Sequence, residues 1–201
     1  MIREAIDKIM REYPEYSAKR RPLKKDGCAA WMRDELPQVF HKTFPRYPNL
    51  IWEASPGKGR WADTPWIAAR DSRVAERFTE GYCVAYIFTT YLDAVYLSFQ
   101  LGVDVLKDEF GGSAEEILSR RVKLFREKLK RDCPARFSTE INLQHEKRSS
   151  RSAWYERAHV LGIRYERRNL PTENKLNEDL IAMLELYHIA IKRVGKFEKG
   201  S

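Results

Sequence analysis

Between residues 49 and 101 the apolar side chains recur at every second position, whereas the segments on either side repeat every third or fourth, and this change of period requires a sheet at the centre of the fold. The runs NLIWEA, TPWIAAR, GYCVAYIFTT and AVYLSFQL are each rich in β-branched and aromatic residues and predict strands. In the last of them Val95, Leu97, Phe99 and Leu101 alternate with Tyr96, Ser98 and Gln100, so one face is apolar and the other mixed. Residues 82–101 therefore predict an antiparallel hairpin turning at 91–94.

Helices flank this block. Ile2, Ile6, Ile9, Met10 and Tyr13 share one helical face, and Pro14 is expected to stop that helix. A basic loop over residues 17–28 and a short helix over 29–42 follow. Ser113 and Glu116 form a capping-box pattern ahead of the stripe Ile117, Leu118, Val122, Phe125 and Leu129, which predicts a helix over 113–131. Phe137, Thr139, Ile141 and Leu143 alternate as a further strand, residues 145–152 read as an exposed loop, and VLGIRYERR reads as the last strand with Gly162 at a bulge. Pro171 and Thr172 open a long helix with the stripe Leu176, Leu180, Leu184, Tyr187 and Ile191. These elements predict one mixed α/β (α+β) domain over residues 1–194, with a disordered tail over 195–201.

The chain carries 37 Lys and Arg against 29 Asp and Glu, a net charge of +8, the sign expected of a protein that meets phosphate. The excess is local. Residues 117–136 hold eight basic side chains against two acids, and residues 145–168 hold seven against three. Arg120, Arg121, Lys123 and Lys128 on the helix, and Lys147, Arg148 and Arg151 in the loop, are candidate phosphate contacts; a solvated charged face is the plain alternative.

Gly57-Lys58-Gly59-Arg60-Trp61-Ala62 has the glycine spacing of a dinucleotide loop, but Pro65 and a strand follow it, so no helix N-terminus faces the glycines. No Gly-x-x-x-x-Gly-Lys-Ser/Thr phosphate loop occurs. The segment fits better as a turn that presents Lys58, Arg60 and Trp61 to nucleic acid, cations to phosphate and indole to a base, or else as a tight turn whose Trp61 joins the core. Trp52, Tyr82, Tyr86, Tyr96, Trp154, Tyr155 and Tyr165 are further rings from which a base pocket could draw two or three, most of the rest being core, while Trp66 reads as core. His41, His145, His159 and His188 have no ligand spacing with one another or with Cys28, Cys83 and Cys133, and three scattered cysteines suit a reducing, cytoplasmic setting. Asp63, Asp71, Glu80 and Lys58 do not form a nuclease pairing in consecutive strands. No cofactor, metal site or membrane span is expected.

In order along residues 5–192, Gly57, Gly59, Trp61, Ala62, Pro65, Trp66, Ile67 and Ala68, then Gly81, Tyr82, Tyr86, Phe88, Tyr96, Leu97 and Ser98, then Leu170-Pro171 before an acidic Leu-rich helix, resemble the N-terminal domain of McrB-type modification-dependent restriction GTPases. The resemblance implies a non-catalytic module that recognises DNA, commonly through a modified cytosine, and passes it to a GTPase motor that recruits a nuclease subunit. The motor is absent here, so the chain reads as an excised domain or a stand-alone relative. The group also resembles PUA-like and EVE-like domains, which implies a small curved, mostly antiparallel β-barrel flanked by N-terminal, central and C-terminal helices, with base capture by flipping into an aromatic-lined pocket. RNA stays open beside DNA. The rival expectation is a protein-interaction or assembly module, marked by an exposed apolar patch.

Overall fold

A computed structural model describes residues 1–18, 22–145, 147 and 150–196. The five strands β1 (Leu50–Ser55), β2 (Trp66–Asp71), β3 (Tyr82–Phe88), β4 (Ala94–Leu101) and β5 (His159–Glu166) pair antiparallel in sequence order. The mixed α+β class and the antiparallel sheet agree with the sequence. The sheet is open, however: β1 and β5 are its two edges and do not meet to close a barrel.

One face carries the main core. Trp52, Ile67, Val84, Tyr86, Val95, Leu97 and Phe99 point to the same side because they alternate in register, and helices bury them. These are α1 (Ile2–Ala18), α2 (Gly27–Ala30), which runs through a π turn at Trp31–Glu35 into α3 (Leu36–Thr43), then α5 (Ala114–Leu129) and α7 (Glu173–Arg193); the short α4 (Asp104–Phe110) and α6 (Arg151–Arg157) complete the set. Glu173 joins the first and last of them by accepting the N–H groups of Ile2 at 2.8 Å and Arg3 at 2.9 Å, donors that an isolated helix start leaves unpaired. The Tyr187 hydroxyl does the same for the sheet. It accepts from the Asp71 N–H at 2.9 Å and donates to the Tyr82 carbonyl at 3.0 Å.

Several local expectations are corrected. Helix α1 passes Pro14 and reaches Ala18. Ser113 adopts helical dihedrals and its side chain caps nothing, so the capping box does not form. Thr172, by contrast, does cap α7, accepting from the Lys175 N–H at 3.3 Å. Helices α4 and α6 form where no helix is expected from the residue pattern. The bulge opposite Phe99 and Gln100 falls at Val160, between paired Leu161 and His159, and Gly162 itself pairs in register with Ser98. Gly195 is held by the Tyr82 hydroxyl, which donates to its carbonyl at 2.9 Å, and residues 197–201 of the expected tail lie outside the described residues.

Residues 137–145 do not form a strand, although Phe137 and Leu143 are buried. The segment is a strap across the sheet's second face, because its successive polar groups bond to different elements and no ladder repeats. Ser138 exchanges both backbone bonds with Gly162, at 2.7 and 2.8 Å, Asn142 donates to the Tyr96 hydroxyl at 3.1 Å, and the Leu143 carbonyl accepts from Thr90. Gly162 is thus flanked by backbone on both sides, and a Cβ there would lie 2.3 Å from the Leu97 carbonyl oxygen and 2.8 Å from His159 Cε1. Gly162→Ala should lower the unfolding free energy by about 1–3 kcal/mol, the cost of overpacking, as read from urea denaturation; an unchanged midpoint would disprove the crowding.

Candidate nucleic-acid interface

The second face of the sheet is unlike the first. Ala68, Cys83 and Ala85 alternate inward where the opposite face has Ile67, Val84 and Tyr86, and side chains this small leave a hollow. Three rings from separate parts of the chain wall that hollow: Trp66 at the start of β2, Phe78 from the β2–β3 loop, and Tyr155 from α6. The Trp66 and Phe78 ring centres are 5.5 Å apart with 36° between their planes. Gln100, Asp104 and Arg151 supply the polar lining. The void measures about 60 Å³. That is well below the roughly 300–1,000 Å³ of drug-sized sites and below the roughly 150 Å³ of a cavity that holds one benzene, so a flat ring enters only when the walls move apart.

The electrostatics of the pocket favour neutral walls and one cation at the rim. Burial pushes the Cys83 thiol up to about 12, so it lines the floor as an inert thiol. Burial raises the Tyr155 phenol as well, partly offset by Arg151, which bonds its oxygen. Arg151 also pairs with Asp104 at 3.1 Å, and 63% of its side chain is exposed, which fixes it at the mouth with one side in water. Arg70 lies over the outer ring, its guanidinium 5.3 Å from the Phe78 centre, and this contact makes Phe78 part of a cation-backed wall.

Of the residues expected from the sequence, Arg151 and, among the candidate rings, Tyr155 line this pocket. Tyr82 is the clearest correction: it is fully buried against Phe99, Phe125 and Tyr187 in the main core, where no ligand reaches it. Trp61 is half-buried on the helical side, edge-on to Tyr13 with ring centres 5.0 Å apart, and so is turned away from the hollow. Gly57 and Gly59 have φ of 126° and 79°, so the expected glycine turn forms, and it leaves Lys58 and Arg60 exposed. Tyr96 lines a neighbouring open cleft of about 920 Å³ beside β5, together with His145, Glu156 and Arg164. On α5, Arg120, Lys123 and Lys128 are exposed, Arg120 pairing with Glu116, while Arg121 is partly buried over the Phe110 ring at 5.8 Å. Lys147 is exposed; Arg148 lies outside the described residues. Arg126, on the same helix, is structural: it donates to the carbonyls of Val160 at 2.8 Å and His159 at 2.9 Å, which the bulge turns out of the ladder.

The family described as MrcB-like, N-terminal domain matches residues 8–192. The chain belongs to this family. No curated protein and no solved structure matches it. In this MrcB-like domain the match covers all five strands together with α4 and α6, which contribute Asp104, Arg151 and Tyr155 to the pocket. Among the described residues no three His, Cys, Asp or Glu side chains are grouped to hold a metal ion, and no helix is long and apolar enough to cross a membrane. Among the described residues the large exposed hydrophobics Ile51, Tyr91 and Leu124 sit apart, on β1, the β3–β4 turn and α5.

Tyr155 is one of the rings the sequence offers for such a pocket, whereas Phe78 is not. Phe78 sits in a loop without periodicity, and Tyr155 in a short helix bordered by polar residues. The usable signal was indirect: small residues at alternate positions of two paired strands mark a sheet face that its own side chains cannot fill.

Proposed function

We propose that this domain is the nucleic-acid-recognition module of an McrB-type restriction system, and that it takes one extruded base into the pocket between Trp66, Phe78 and Tyr155. The observation that carries the reading is the convergence of three rings over a floor of Ala68, Cys83 and Ala85, with Arg151 at the rim, in a chain of this family. Base capture needs apolar or aromatic walls and polar groups for the base edge, and the pocket offers both once its walls part to admit a ring. Lys58, Arg60, Arg120, Lys123, Lys128 and Lys147 are exposed cations suited to phosphate, and the net charge of +8 gives the long-range attraction. Tyr96 is a candidate ring for a neighbouring nucleotide. A modified base is the preferred ligand, DNA the preferred polymer, and a GTPase motor with its nuclease subunit the partner; the domain itself recognises and does not cleave, in the cytoplasm.

Titration with modified and unmodified duplexes and with RNA, at several salt concentrations, tests this. Trp66→Ala should remove about 1–3 kcal/mol of binding, the worth of one stacked base, and erase any preference for a modified base. Lys128→Ala should weaken all sequences alike and reduce the salt slope by about one. Absence of salt-sensitive binding to every nucleic acid would refute the proposal.

A further inference from the structure

The pocket is too small for a base because one of the protein's own rings stands where a base would stack. Trp66, Ala68 and Arg70 alternate along β2 and so project from one face, with roughly 13 Å of strand between the first and the last. Phe78 reaches both ends of this interval. Its ring centre is 5.5 Å from that of Trp66, with 36° between the planes, and 5.3 Å from the Arg70 guanidinium. The ring therefore fills the gap over Ala68, whose own side chain is too small to fill it, between an indole and a planar cation. Aromatic side chains and guanidinium planes are the two platforms on which extruded bases stack.

Of the three rings around the pocket, Phe78 is the one free to leave. Trp66 is fixed in the sheet, in register with Ser55 on one side and Ile87 on the other. Tyr155 is held by its carbonyl, which accepts from Gln100 at 2.7 Å, and by its phenol, which bonds Arg151 and Trp66. Phe78 lies half-buried in the β2–β3 loop, and neither its N–H nor its carbonyl makes a hydrogen bond among the described residues. Rotation about its Cα–Cβ bond carries the ring away without breaking any bond of the sheet. Arg70 stays behind, because its Nη1 donates to the Ala75 carbonyl at 2.8 Å. Its Nε is buried with no acceptor among the described residues, so the group that covers the ring keeps an unused donor, and a base, unlike a phenyl ring, carries acceptors.

We propose that the extruded base sits between Trp66 and Arg70, in the place that Phe78 fills in this structure, and that Arg70 is the residue that covers the second face of the base. The proposal rests on the base-capture reading above and says which wall yields: Trp66 and Tyr155 stay, and Phe78 turns out. The plug costs affinity, since only the fraction of molecules with the ring turned out accepts a base.

A fixed wall and a plug give opposite signs on truncation. The probe is a duplex with one 5-methylcytosine opposite an abasic gap, which makes the base easy to extrude, and the reference is a fully paired unmodified duplex of the same length. Phe78→Ala should bind the probe about fivefold more tightly or better, with the reference unchanged within about twofold, because a competing side chain is removed and no phosphate contact is touched. Phe78→Leu, which keeps bulk in the loop, should move the same way by a smaller factor. Arg70→Lys keeps the charge and a donor for the Ala75 carbonyl but loses the planar face, and should weaken the probe about fivefold or more while leaving the reference alone. Urea midpoints establish the folded fraction of each variant. Weaker or unchanged probe binding in Phe78→Ala and Phe78→Leu makes Phe78 a fixed wall and overturns the plug; unchanged probe binding in Arg70→Lys overturns the role of Arg70. If neither the wild type nor Phe78→Ala distinguishes probe from reference, base capture itself is refuted, and this inference with it.

Discussion

Replacing Asp179 with alanine should lower the unfolding free energy by about 1–3 kcal/mol, the cost of leaving a buried hydroxyl donor without its acceptor. Asp179 lies on α7 and is fully buried. Its Oδ1 accepts from Arg136 Nε at 2.6 Å and from Lys175 Nζ at 2.8 Å, and its Oδ2 from the Tyr165 hydroxyl at 3.0 Å. The two cations reach solvent and can turn outward after the change. Tyr165 cannot, because it is buried on the core face of β5, and its hydroxyl would be left as a buried donor without an acceptor. Asp179→Asn keeps an acceptor for that hydroxyl and should cost distinctly less. Urea denaturation of both variants measures the difference, and a loss under about 1 kcal/mol for the alanine would show that the network contributes little.

The second large effect is on acid stability. Burial drives the pKa of His159 down to about 4; its bond to the Ser138 carbonyl opposes this only partly, and Arg126 nearby adds to it. An unfolded histidine titrates near 6.5, so between that pH and about 4 the unfolded chain binds a proton that the folded chain refuses. Stability is therefore complete above pH 6.5 and falls as the pH is lowered through this window, by about 3 kcal/mol in all. Asp71, Asp93 and Glu173, whose carboxyls are shifted down, begin to add losses as the pH nears their ordinary values of 3.8 and 4.5, and Glu53, whose carboxyl burial raises, works in the opposite sense there. Denaturation at pH 7 and pH 5.5 therefore reads mainly the histidine. His159→Gln should flatten the slope between them; a slope equal to that of the wild type would place the acid sensitivity elsewhere.

The strands were legible because an apolar–polar alternation has little competition when both neighbours in the sheet alternate as well: Val95 to Leu101 pair in register with Phe88 to Tyr82 just as their pattern requires. Helix α7 was legible through Thr172, whose side chain performs the capping that its position suggests. The strap was not. Phe137, Ile141 and Leu143 do alternate, but Leu143 is anchored by Glu156 and Thr90 and only Ser138 meets β5, so period two here records burial without pairing. The ring set of the pocket was illegible for another reason. Trp66, Phe78 and Tyr155 come from a strand, a loop and a helix, and only the tertiary fold decides that they converge while Tyr82, in the same hairpin as Cys83, faces the other way.

The open sheet acts as a bulkhead between two compartments with different tolerances. On one side the helices and large side chains are interlocked, so substitutions there are felt throughout the scaffold. On the other side the strap is tied to the sheet at a few separate points, and Trp66 holds the pocket walls together by touching Phe78 and bonding Tyr155. If the pocket captures a base as proposed, sequence drift in the strap, the β2–β3 loop and α6 would retune what it accepts while folding is carried by the other face.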